Sequence, residues 1–314
     1  LGFNWTPGVG PCETTLASMR KAAPQPDILM GEAWFMGETR KMYTELSGNF
    51  ETVSTEYLQE VLREIAGGAS AFGLHEEWEA WLRYLLPRVV PRCHERFVDW
   101  LFESLCSAFL QVDLATNHMG RNAYDGGEVL STLGHVIMAE NRWKDGKIVV
   151  GNTLHPSNNN PAKWWGWANV SGDLAASLLV CLRLVEDKEL QGWVDSIFSI
   201  GCPYWRAQLL TWHVGARPLL NERIQFPSQF DEWTANRNNK NPSIGWSDSH
   251  VVGRMQGDTI VAEAVFPQGR VSKFKSAFEA HLENADLSKW KEEILEVPEL
   301  RSEVGRLIKN FEIN

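Results

Sequence analysis

Residues 75–90 read HEEWEAWLRYLLPRVV, and their apolar members recur at helical spacing. Trp78, Trp81, Leu82, Leu85, Leu86 and Val89 form one stripe, with Glu76, Glu77, Glu79 and Arg83 opposite. A helix of 3.6 residues per turn returns side chains three and four apart to the same face, so this pattern predicts an amphipathic helix with both indoles in a core. Pro87 has no amide proton and is expected to end or kink it. Pro91 suits the first turn of a following helix, predicted to run to about residue 110 and to bury Phe97, Val98, Leu101, Phe102, Leu105 and Phe109.

Working outward, the same period recurs along most of the chain. Residues 54–66 carry Leu58, Val61, Leu62 and Ile65 and then meet Gly67-Gly68, which is expected to stop the helix. Residues 125–141 form a further helical stretch, and 174–185 are apolar on nearly every side, as for an element packed on two faces. Residues 191–200 carry Trp193, Val194, Ile197 and Phe198, and the pattern restarts behind Pro203 with Trp205, Leu209 and Trp212. Residues 273–311 return to helix in two segments separated by Pro298. Two hairpins are expected, one around Asp145-Gly146 and one around Gln256-Gly257-Asp258.

The predicted fold is therefore all-α, with one or two short β-hairpins. Successive amphipathic helices with short breaks resemble the architecture of HEAT and armadillo arrays, where each helix pair buries its face against the next. No fixed period near 40 residues aligns across the chain, so an irregular helical bundle or a closed α/α toroid fits the pattern as well. We expect residues 1–217 to form a main helical domain, 218–250 a Pro/Asn-rich loop or linker, and 251–314 a hairpin and helices packed on the main domain.

Hydrophobic residues make up 44% of the 314 and charged residues 22%, which is ordinary for a chain that folds. The net charge of -10 works against an extended nucleic-acid footprint, which needs positive surface to release counterions. The apolar run 174–182 is shorter than the ~20 residues that cross a bilayer. Five scattered cysteines without a CxxC pair read as reduced core thiols, which points to the cytoplasm and to no metal. Leu1 in place of an initiator methionine is expected of a processed chain or a piece of a longer one.

No motif dictates a reaction. There is no phosphate-binding GxxxxGK[ST], no HExxH and no GxSxG elbow, and no cofactor is expected. The strongest binding signal is the run 158–167, NNNPAKWWGW. Adjacent indoles in a polar segment resist complete burial, and tryptophan is enriched at protein contacts. His155, Asn158, Asn159, Trp164, Trp165 and Trp167 are the candidate binding residues. If the chain is an enzyme, the carboxylates Asp113, Asp125, Glu128 and Asp173 are its candidate acid and base, with the indoles as a stacking wall for a sugar. The expected function is a non-enzymatic scaffold that binds a protein partner. The alternative is an α/α-toroid enzyme acting on a carbohydrate or related polar substrate.

Overall fold

The structure is a computed structural model; it describes residues 2–27, 44–72, 76–93, 100–118, 124–149, 172–224, 244–246, 254–256, 259–261 and 265–300. The fold is all-α with short antiparallel hairpins. In chain order the helices are α1 (Glu13–Ala22), α2 (Thr55–Phe72), α3 (Glu76–Val89), α4 (Trp100–His118), α5 (Gly126–Ser131), α6 (Gly172–Leu184), α7 (Leu190–Ser199), α8 (Pro203–Gly215), α9 (Arg217–Leu220), α10 (Arg270–Asn284) and α11 (Leu287–Glu296). Strands β1 (Trp143–Lys144) and β2 (Lys147–Ile148) pair antiparallel, as do β3 (Arg254–Gln256) and β4 (Thr259–Val261).

Local chemistry accounts for most of the boundaries. Ser54 starts α2 by accepting the Tyr57 amide at 3.2 Å, Asp125 starts α5 on the Glu128 amide at 3.0 Å, and Asp286 starts α11 on the Lys289 amide at 2.9 Å. Each side chain satisfies a backbone donor that has no partner inside the helix. Pro203 opens α8, where its missing amide proton costs nothing. In the first hairpin Asp145 and Gly146 both have positive φ, 52° and 71°, the two-residue turn whose twist matches its strands. Trp143 and Ile148 then face inward, and Lys144 and Lys147 outward.

Several helices depart from the expectations above. Gly67-Gly68 does not stop α2, which continues to Phe72. Ala66 and Ala69 flank the glycines and are buried, and α2 packs closely along α4, which outweighs the glycines' cost of about 1 kcal/mol each. Glu77 and Glu79 do not lie on a solvated face: α3 is enclosed on more sides than its stripe implied, with Glu77 only 4% exposed. Helix α4 runs two turns beyond residue 110 because Asp113 and Asn117, polar enough to suggest a loop, bond within the fold. At the C-terminal end, Asp286 adds a break that the spacing did not show.

The helices do not follow a strict nearest-neighbour order. Helix α1 packs on α3 and α5, α6 on α4 and α10, α7 on α10, and α8 on α11. The N-terminal segment crosses the body: the Trp5 indole donates to the Gly134 carbonyl at 2.8 Å and stands edge-on to Trp193 and Trp205, 5.4 and 5.8 Å away. Trp193 packs in turn on Phe274 of α10, and Trp205 on Trp143 of β1. One aromatic cluster thus joins early, middle and late parts of the chain. Of the Pro/Asn segment 218–250, Pro218, Leu219 and Leu220 belong to α9 and are buried, as are Ile224, Ile244 and Trp246; most of the rest lies outside the described residues.

Candidate functional site

Helix α4 is enclosed almost all round, yet one of its faces is polar. Glu103, Ser107 and Gln111 follow at four-residue intervals with Ser104 beside them, so all four lie along one stripe. None is more than 3% exposed. Burying such groups requires hydrogen-bond partners, since each unsatisfied one costs roughly 1–3 kcal/mol. Trp246 supplies one, its indole N–H donating to Ser107 Oγ at 2.9 Å. Trp100, one turn before Glu103, continues the stripe outward and is 53% exposed.

The Glu103 carboxylate lies against Gly172, the first residue of α6. A Cβ at Gly172 would overlap that carboxylate and come within 2.9 Å of the Trp246 Cβ, so only glycine fits the approach. The first turn of a helix carries unpaired amides and partial positive charge, a favourable place for an acid. Helix α6 runs parallel to α4 and closes at its other end: Arg183 donates from Nε to Asp113 Oδ2 at 2.5 Å and from Nη1 to the Val265 carbonyl. Asn117 adds a bond to the same Asp113 oxygen at 3.0 Å.

A second buried ion pair braces the start of α6. Arg142 donates from Nη1 to Asp173 Oδ2 at 2.5 Å and from Nη2 to the Cys93 carbonyl at 3.1 Å. The two side chains are 3% and 1% exposed. One guanidinium thus ties α6 to the segment after α3 and to the turn before β1. A fork-shaped cation can bond a carboxylate and a carbonyl together, which an ammonium does less well.

The four candidate carboxylates therefore have separate roles. Asp113 and Asp173 are buried partners of Arg183 and Arg142, while Asp125 is the cap of α5 and Glu128 sits in that helix's first turn. His155, Asn158, Asn159, Trp164, Trp165 and Trp167 lie outside the described residues. Glu103 was not singled out from the sequence because it stands in an apolar helix. Its signal was available in the Glu103, Ser107, Gln111 spacing, which a search for polar residues at four-residue intervals would have detected.

Tyr124 and Cys12 are among the groups with shifted acidity. Burial pushes the Tyr124 phenol well up, with the carboxylates of Glu79 and Asp113 adding and Arg83 opposing. Cys12 precedes α1 with its sulfur 3.1 Å from Thr14 Oγ1, and hydrogen bonds from Thr14 and Thr15 lower its pKa to about 7. The other four cysteines are buried, and none of the five forms a disulfide. Among the described residues no group of three or more histidine, cysteine or acidic side chains is placed to hold a metal ion, and no helix is long and apolar enough to cross a membrane. Comparison with protein-family models, with curated proteins and with solved structures finds no match.

Proposed function

We propose that this chain is a non-enzymatic binding scaffold that engages a protein partner through its helical surface and the Trp164, Trp165, Trp167 segment. The observation that carries the reading is the use made of the candidate acids. Asp113 is paired with the partly buried Arg183 and Asp173 with the buried Arg142, and Asp125 is occupied as a helix cap. A general acid or base needs a proton-exchanging group open to substrate, and these carboxylates serve as braces instead. Trp100, half exposed at the start of α4, adds a further indole of the kind that anchors protein contacts. Five cysteines without a disulfide, four of them buried, accord with a reducing compartment, and we assign the chain to the cytoplasm on that ground.

The test is capture of partners from a lysate of the source cell by the immobilised full chain, by Trp100→Ala, and by the triple Trp164/Trp165/Trp167→Ala variant, with circular dichroism to establish folding. A protein held by the parent and lost by either variant supports the scaffold. Capture that neither variant changes overturns the assigned surface.

The enzymatic alternative on a carbohydrate-like substrate would require the buried acids at the start of α6 to become open to substrate. The Glu103 carboxylate meets α6 beside Asp173, bringing two acids to one helix end. Turnover of a polysaccharide that disappears in Glu103→Gln would establish this reading in place of the first.

A further inference from the structure

Helices α10 and α11 close over the body, with Phe274 and Phe278 fully buried against Trp193 and Trp212. His213, in the last turn of α8, enters this contact. Its imidazole lies nearly parallel to the Phe278 ring, 8° apart in plane and 5.6 Å between centroids, and the residue is 8% exposed. Among the described residues, the charged groups around it are Arg217 of α9 and Lys275 and Glu279 of α10. Helix α11 packs on α8 two turns earlier, where its Glu293 pairs with Arg206. Glu279 Oε1 is 3.8 Å from His213 Nε2, and its side chain is 40% exposed.

These surroundings favour a neutral ring. Burial is the largest effect, and the cations Arg217 and Lys275 add to it, bringing the pKa down to about 4 from the ordinary 6.5. Glu279 pulls the other way, but water screens a carboxylate this exposed. The opposite edge of α10 faces α7, where His281 lies 2.7 Å from Asp195 and holds that carboxyl below its ordinary range.

We propose that His213 is a pH-operated latch: the neutral imidazole holds α10 on α8, and its protonation in mild acid loosens α10 and α11 from that edge. Because the His281–Asp195 bond also ties α10 to α7, the α8 side is the edge that opens. Opening exposes the aromatic surface of Phe278 and Trp290.

Hydrogen exchange of the full chain, read by mass spectrometry at pH 7 and pH 5 and corrected for intrinsic rates, tests this. An imidazole that returns to ordinary acidity on opening shifts the opening equilibrium roughly 20-fold between those pH values. Peptides from 270–296 should lose that much more protection than peptides from 101–117. His213→Phe keeps a ring against Phe278 and takes up no proton, so the acid-specific loss should vanish. Equal loss in His213→Phe, or none at 270–296 in the parent, overturns the proposal. Should the variant fail to fold, titration of the parent's imidazole by NMR decides: a His213 that titrates near 6.5 in the folded chain refutes the latch.

Discussion

Replacing Arg142 by Met removes the cation that Asp173 and the Cys93 carbonyl share, while keeping much of the side chain's length. Asp173, 1% exposed, is then left in the interior without its counterion. Breaking a buried ion pair from one side costs about 3–5 kcal/mol, a large fraction of the ~5–15 kcal/mol that holds a typical domain together. For 314 residues the entropy of unfolding is about 0.7 kcal/mol per degree, so a loss of about 4 kcal/mol lowers Tm by about 6 °C. Scanning calorimetry reads this directly. The double variant Arg142→Met/Asp173→Leu removes both charges and should recover most of the loss, with a coupling above about 2 kcal/mol in a double-mutant cycle. A single substitution that costs under about 1 kcal/mol, or a double variant equal to the sum of its singles, would refute the bracing role.

Other outcomes follow from the same geometry. Gly172→Ala forces a methyl group into the Glu103 carboxylate and toward Trp246, and should cost about 1–3 kcal/mol in urea titrations, with a change in the near-ultraviolet signal of Trp246. Trp5→Ala removes the indole that joins Gly134, Trp193 and Trp205; a loss of about 3–5 kcal/mol and faster proteolysis of the N-terminal segment are expected. Cys12 should be the first thiol alkylated in the native chain. Its pKa of about 7 means that the reactive thiolate grows as pH rises through neutrality, so its labelling rate should climb between pH 6 and 8 and then level off. Peptide mapping should find Cys93, Cys106, Cys181 and Cys202 unlabelled until the chain unfolds.

The legibility of the fold followed the physics of each signal. The α3 stripe and the turn at Asp145-Gly146 act within a turn or two, so sequence spacing carries them. Gly67-Gly68 misled because glycine's preference is worth about 1 kcal/mol, less than the packing of α2 along α4 that sequence does not show. The expected helix end near residue 110 fell short of Asp113 and Asn117 for a related reason. A polar cluster after an apolar helix looks like a solvated end unless its partner is visible, and Arg183 lies 70 residues away in sequence.

From sequence alone came the all-α character, the positions of most helices, the tight turn at Asp145-Gly146 and the burial of Trp78 and Trp81. These are consequences of 3.6-residue periodicity and of backbone preferences local to a few residues. The candidate acids were visible as residue types. Only the tertiary structure assigned their roles, because an ionisable side chain is defined by what surrounds it. It placed Asp173 against Arg142, seated Glu103 at the start of α6, and enclosed His213 among Phe278, Arg217 and Lys275. Those contacts join segments far apart in the chain, and their energies depend on distance and burial, which no spacing rule encodes.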